Sequence, residues 1–321
     1  MISIPEFESQ QVLLVFSNKG DKISFSNDNI VVKDKDNKVK HQSTCYKLFL
    51  VIIIGNTSIT SGLIQRAVKF NFSICLMSPY FRVYQTINAI GDGNTILRKK
   101  QYINRNIEVG KFIIKNKLEN QKVALKSIRS KSDLLKESIN NIDKYIISLE
   151  DKNTLNEIMG IEGVAAKIYF SQIFDNIKWN GRKPRIKSDY VNVLLDIGYN
   201  LLFNFIEAIA KSFGFDTYCG YLHQDFYMRK SLICDLVEPF RPIVDLTIRK
   251  GINLKQFIED DFERYGYRFV LPWKKSPRYV SIIMKEILEY KNDIFVYIQS
   301  FYRAIMKDKK KEDYPVFQFK W

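Results

Sequence analysis

Across residues 88–95, NAIGDGNT, the chain changes its hydrophobic period, and no other feature constrains its fold as much. Before this stretch, apolar residues come in short β-branched and aromatic runs. QVLLVFS, KISFS and NIVVKD are parted by the turn clusters NKGD and NDN and read as strands. LFLVIII (48–54) is a continuous apolar run of strand length, as expected for a strand buried on both faces. SGLIQRAVKF supplies one amphipathic helix with Thr57, Ser58 or Thr60 as N-cap, and SICLM and RVYQTI return to strand.

Beyond the stretch, apolar positions recur at steps of three and four. RKKQYINRNIEVGKFIIKNKLENQKVALKSI reads as one helix, as do LLKESINNIDKYIISLE and GVAAKIYFSQIF. VNVLLDIGYNLLFNFIEAIAKS, with Ser188 or Asp189 as cap, and VSIIMKEILEYKNDIFVYIQSFYRAI follow the same rule. Two glycines without periodicity mark the linker between the two regimes. The expected class is α+β: a small β-rich N-terminal domain with one helix (1–88), a linker (89–96) and a larger all-α domain (97–321) that carries the chemistry.

A chain of 321 residues buries about 75% of its unfolded surface and needs no disulfide or structural metal to hold a core. Its four cysteines are scattered with no CxxC pair, which argues against a zinc ribbon or a disulfide framework and fits a reducing cytoplasm. MISIPEFESQ lacks a basic segment followed by an apolar one, so no signal peptide is expected. LFLVIII is far short of the roughly 20 residues that span a bilayer. Cytoplasmic residence without a membrane partner is the expectation.

Charge speaks to partners. Fifty basic residues face 35 acidic ones, a net +15, and residues 98–131 alone hold eleven basic and two acidic residues. A polyanion is expected, nucleic acid before membrane, although a lysine-rich solvated face is the plainer account. Arg182, Lys183, Arg185 and Lys187 form a second basic loop, and Lys307 to Lys311 a third cluster.

The chain has only two histidines. His41 stands in the lysine-rich turn KVKHQSTCY and reads as surface. His223 stands in GYLHQDFYMRKSL, and by itself reads as a half-buried packing residue. Asp235 and Glu238 follow, three apart and on one face if helical, inside the apolar stretch SLICDLVEPFRPIV. Alone they would pair with Arg241 or Arg229. In apolar surroundings, however, an ionised carboxylate needs a partner or a metal. Ser231 is a good N-cap for a helix there, and Pro239 and Pro242 should kink or end it. Glu162, between Gly160 and Gly163 in IMGIEGVAAKIYF, offers a third acid at the mouth of a helix, unless it merely favours a helix N-terminus by charge. Carboxylates with one imidazole suit Mn²⁺ or Mg²⁺, ions that serve phosphodiester displacement.

MGIEGVAAKIYF, GYLHQDFYMRKSL and DLVEPFRPIVD, in that order and spacing, resemble the CRISPR-associated spacer-acquisition integrase and endonuclease family, the "Cas-one" family. YVNVLLDIGYNLL, KISFSNDNIVVKD, GNTSITSGLIQRAVKFNFSICLM and LRKKQY extend the resemblance over nearly the whole chain. The resemblance implies Glu162, His223 and Glu238 as metal ligands and Asp235 as a supporting catalytic acid. It implies integration, in which the 3′-OH of a prespacer fragment attacks a phosphodiester at the edge of a CRISPR repeat. It also implies a homodimer formed through the N-terminal domain, and a small "Cas-two" partner bridging two dimers. Double-stranded DNA would then lie along Arg98, Lys99, Lys100, Arg105, the loop Arg182, Lys183, Arg185 and Lys187, and Arg229. Two rivals stay open: a structure-specific DNA repair nuclease, and a noncatalytic nucleic-acid scaffold.

Overall fold

The computed structural model describes residues 2–88, 93–177, 179–184 and 186–320. The chain divides into two compact units, residues 1–95 with 207–215, and residues 96–206 with 216–321. Of the expected linker, residues 89–92 lie outside the described residues.

The first unit runs α1 (Ile4–Ser9), β1 (Gln11–Ser17), β2 (Lys22–Ser26), β3 (Asn29–Lys33), β4 (Val39–Thr44), β5 (Leu48–Gly55), α2 (Ser61–Phe70), β6 (Ser73–Met77) and β7 (Val83–Ile87). One sheet has the order β1-β5-β6-β7, with β1, β5 and β6 parallel and β7 antiparallel to β6. All eight residues of β5 are buried, because it lies between two neighbours in a covered sheet. Parallel neighbours need crossovers. The antiparallel sheet β2-β3-β4 fills the first and α2 the second. Val15, Ile23, Val32, Val51, Leu63 and Phe72 belong to one core drawn from both sheets and α2.

One local reading needs correction here, one element went unread, and one choice is settled. The turn expected around His41 is strand β4, in which His41 pairs with Val32 and stays exposed. The turn lies earlier, where Asp34 Oδ1 accepts from the backbone N–H of Asp36 and Lys38 at 2.9 Å each and closes a hairpin. Helix α1, opened by a Ser3–Glu6 capping box, was not read from the sequence. Of the three candidate caps for α2, Thr60 takes the role, accepting from Leu63 N.

The second unit holds α3 (Thr95–Ile103), α4 (Ile107–Lys126), α5 (Asp133–Ser148), α6 (Leu155–Ile173), α7 (Tyr190–Ser212), α8 (Ser231–Val237), α9 (Arg241–Asn253), the hairpin β8 (Glu263–Tyr265) and β9 (Arg268–Val270), α10 (Ser276–Glu289) and α11 (Lys291–Met306). α3 starts, and α7 ends, at residues grouped with the first unit. Two long helices read from the pattern are each broken in two. Asn106 leaves the helical conformation and caps α4 by accepting from Glu108 N at 2.8 Å, which separates α4 from α3. Tyr290 separates α10 from α11. The hairpin β8–β9 is too short for a periodicity to register. Asp189 does cap α7, accepting from Asn192 N at 2.7 Å. By length and composition α7 is long and apolar enough to cross a membrane, but 78% of its most apolar window is buried, as in a core helix.

α4 organises this unit, packing against α5, α6, α9 and the 3₁₀ turn Glu238–Phe240. Besides its apolar stripe it buries two asparagines. Asn116 exchanges both amide bonds with the backbone of Phe317, and Asn120 accepts from Phe319 N at 2.9 Å. Asn120 Nδ2 also donates to Phe317 O at 3.0 Å and to Pro239 O at 3.2 Å. The segment 317–319 and the turn after Glu238 therefore hang on the same helix.

α7 crosses α9 closely at Gly198, where an added Cβ would lie 2.4 Å from Val244 Cγ1. Gly198→Ala should therefore destabilise the protein by about 1–3 kcal/mol in urea unfolding, despite alanine's better helix propensity. A stabilised variant would show that this crossing is looser than described.

Candidate metal centre

Four segments of the second unit bring charged side chains together: α4 with Lys117, α6 with Glu162, the turn after α8 with Glu238, and the start of α9 with Arg241. Glu162 is not at a helix mouth, as its glycine neighbours imply. α6 begins at Leu155 under a Thr154–Glu157 capping box, so Glu162 lies within the helix. Gly160 and Gly163 are also helix-interior, where each costs about 1 kcal/mol relative to alanine. A Cβ at either would meet nothing within 4 Å, so packing within the chain does not require them.

Asp235 and Glu238 lie one turn apart, as their spacing predicts, and the helical backbone runs on through Glu238. α8 stops at Val237 and Glu238 opens a 3₁₀ turn, because Pro239 offers no N–H to continue the helix. The two carboxylates nevertheless face different partners. Asp235, fully buried, accepts from the backbone N–H of Tyr221 (2.6 Å), Leu222 (3.1 Å) and His223 (3.0 Å). It also meets His223 Nδ1 at 2.7 Å. A carboxylate at Nδ1 fixes the proton there and leaves Nε2 as the free lone pair, the arrangement seen behind metal-binding histidines. The loop comes this close because residue 220 is glycine: a Cβ there would lie 2.9 Å from Asp235 Oδ2 and 2.8 Å from the Ser231 backbone. Ser231 is not the expected N-cap. Its hydroxyl donates to Gln224 O at 2.9 Å and ties the far end of the same loop.

Glu238 is 3% exposed, and its Oε1 pairs with Arg241 at 2.9 Å. Lys117 Nζ pairs with Glu162 Oε1 and stands 2.6 Å from Glu238 Oε2. The second approach is oblique, and Oε2 has no directed hydrogen bond. Burial alone would push the Glu238 carboxyl up. Arg241 and then Lys117 outweigh it and hold the group at about 2, against an ordinary 4.5, and a charged His223 is near enough to add to the effect. Burial likewise works against the Lys117 charge, but Glu238 and Glu162 hold its ammonium above the ordinary lysine range. Among the described residues, no three His, Cys, Asp or Glu side chains converge closely enough to ligate an ion as they stand.

The donors nevertheless fit a hard divalent cation. Two carboxylates already share one cationic group, one buried carboxylate oxygen lacks a directed bond, and an imidazole is held with Nε2 free. A cavity of about 940 Å³ opens beside this cluster, lined by Lys117, Glu162, Gly163, Trp179, Arg182, Tyr199, Arg241 and Asp245. Burial pushes the Asp245 carboxyl up to about 6, against hydrogen bonds from Tyr199 and Tyr169 that lower it.

Several residues expected along DNA have partners inside the chain. Arg105 forks onto Asp225 (2.7 and 2.9 Å) and donates to Gly220 O at 2.6 Å, so it braces the His223 loop. Lys100 pairs with Asp308 and Arg182 with Asp196 and Asn192. Arg229 donates to Gln224 O and Ser231. Lys187 accepts, through its carbonyl, from Phe269 N. Lys99 and Lys183 are exposed and Arg98 is partly so, while Arg185 lies outside the described residues. Sequence reasoning missed Lys117 altogether and assigned Arg241 only as a possible partner. The available signal was a lysine on the inward stripe of α4, in step with Ile113, Ile114 and Asn120.

A depressed carboxyl contributes stability above its unfolded value, lost as pH falls through its folded one. Wild type should therefore lose stability between about pH 4.5 and 2 more steeply than Glu238→Gln, by urea unfolding at several pH values. Equal slopes would exclude Glu238 as a titrating group of the fold.

A family model described as CRISPR associated protein Cas1 matches residues 14–280. The CRISPR-associated endonuclease Cas1 1 of Thermodesulfovibrio yellowstonii is 28% identical over 284 residues, 81% of this chain and 86% of that protein. Among solved structures, a casposase bound to integration product matches with a TM-score of 0.79 at 20% identity, over 97% of this chain and 96% of its own. A chain of a Cas6-RT-Cas1–Cas2 complex matches with a TM-score of 0.83 at 21% identity, over 96% of this chain. This chain spans only 36% of that longer one.

Proposed function

The chain belongs to the CRISPR-associated Cas1 family, and from that premise we propose that it is a divalent-metal-dependent DNA integrase and endonuclease of CRISPR adaptation. It would insert prespacer DNA into the repeat array by 3′-OH transesterification. The observation that carries this reading is the Asp235–His223 pair, which leaves imidazole Nε2 free, together with the Glu162 and Glu238 carboxylates gathered on Lys117. The names of similar proteins, an endonuclease and a casposase bound to integration product, support the reaction class.

Glu162, Glu238 and His223 would hold Mn²⁺ or Mg²⁺, which when bound polarises a phosphoryl oxygen and stabilises the entering and leaving oxygens of a displacement. The protein's own groups do the rest. Asp235 keeps His223 in the Nδ1–H tautomer and fixes its loop, so the imidazole does not wander or take the wrong proton. Arg241 takes one oxygen of Glu238 and sets the direction of the other. Gly160 and Gly163 keep the surface beside Glu162 clear, room that a DNA backbone would use. Exposed Lys99 and Lys183 supply candidate phosphate contacts that position without specifying sequence.

The likeness to a Cas1–Cas2 assembly supports a small Cas2-type partner alongside the DNA fragment and the repeat. The strand-rich first unit is the proposed dimerisation surface, as the family resemblance implies.

With that partner and Mn²⁺, the protein should join a fragment bearing a 3′-OH to a repeat-bearing plasmid. A dideoxy-terminated fragment should bind comparably and give no joined product, because the nucleophile is the fragment's own hydroxyl. Plasmid cutting that ignores the fragment end, with no joining by either, would instead favour a repair nuclease that uses water. Asp235→Asn should weaken Mn²⁺ binding by about 10–100-fold in calorimetric titration, as loss of a histidine's supporting acceptor typically does. Unchanged affinity would remove His223 from the ligand set.

A further inference from the structure

Lys117 occupies a place that the metal reading assigns to something else. Its ammonium touches Oε1 of Glu162 and lies 2.6 Å from Oε2 of Glu238. A Mg²⁺-like ion binds carboxylate oxygens at about 2.0–2.1 Å, closer than Nζ stands to Glu238 Oε2, so an ion entering on the side of Lys117 would collide with its ammonium. There the two cations would compete for the same oxygens.

We propose that Lys117 is a tethered counter-ion of the metal-free centre, held between Glu162 and Glu238 until a divalent cation displaces it. Loading is then an exchange of one cation for another. This rests on the metal centre proposed above and adds the step that precedes its occupation.

Charge argues for exchange over simple addition. Two carboxylates, Glu162 and Glu238, are balanced by Lys117 and Arg241. Adding a divalent ion with Lys117 in place would set two cations against the same carboxylate oxygens, at a cost in repulsion. Arg241 cannot be the group that leaves, because it already takes the outer oxygen of Glu238 at 2.9 Å and blocks neither shared oxygen. Lys117 can. It meets Glu238 Oε2 obliquely, by charge without a directed hydrogen bond, and a lysine is a point charge on a flexible four-carbon stem. The cavity of about 940 Å³ that Lys117 itself lines gives the displaced side chain room. The arrangement also explains a lysine buried in α4, where a neutral residue would leave two carboxylates facing each other.

Calorimetric titration of the full chain with Mn²⁺, for wild type, Lys117→Met and Lys117→Arg, tests this. Lys117→Met removes the competitor and should bind Mn²⁺ about tenfold or more tighter than wild type. Without metal it should melt below wild type, and Mn²⁺ should raise its melting temperature by more. Lys117→Arg keeps the charge on a planar fork that suits two carboxylates and should bind Mn²⁺ more weakly than wild type. Folded Lys117→Met with wild-type or weaker affinity would overturn the proposal. Should that variant not fold, Lys117→Arg decides it, and equal or tighter binding there overturns it as well. No Mn²⁺ binding by wild type or either variant would instead strike down the metal centre itself, and the exchange with it.

Discussion

A carboxylate without water needs a cation, and the architecture of the second unit follows from where α4 places one. Lys117 enters the interior from the middle of that helix and meets Glu162 from α6 and Glu238 from the turn after α8. Breaking a buried pair of this kind typically costs about 3–5 kcal/mol, since the abandoned charge stays buried. Three separate segments are thus held in register by charge as well as by packing. Arg241 completes the set from α9 and sits under the Tyr199 ring, 4.7 Å from its centroid, which ties the charge cluster to the cavity wall.

Much of the fold was legible because it follows from simple periodicity. The continuous run LFLVIII, by its length, read as a strand covered on both faces, and it is the fully buried β5. The apolar stripes of α5, α6 and α7 were visible at their helical spacing. What escaped was set by single polar side chains acting on the backbone. Asn106 cuts one long helical pattern into two, and Asp34 turns a lysine-rich stretch back on itself as a strand. Pattern counts polar residues as outward-facing, so it gives no warning when one binds the main chain instead.

The candidate site shows the same division. Glu162, His223, Asp235 and Glu238 stood out as acids and an imidazole in apolar or glycine-rich surroundings, and the order of their blocks resembled one family. Their roles were less visible. That Asp235 serves the loop of His223 while Glu238 faces Lys117 depends on which segments the fold packs beside each, a matter of tertiary structure. Charge was legible in amount but not in destination. Residues 98–131 are rich in Lys and Arg, yet Lys100, Arg105, Lys111, Lys115, Lys117 and Lys122 all find carboxylates of the chain itself.

The two asparagines of α4 carry a consequence for when the centre comes into being. Asn116 bonds to Phe317 across 201 positions of sequence, and Asn120 reaches both Phe317 and Pro239, the residue next to Glu238. Contacts so distant along the chain close late, after the entropy of a long loop has been lost. While the protein is being made, α4, α6 and the turn at Glu238 emerge from the ribosome well before residue 317. During that interval Asn120 lacks two of its three partners, Phe317 and Phe319. The charge cluster at Glu238 therefore takes its final form only after nearly all of the described chain has been synthesised.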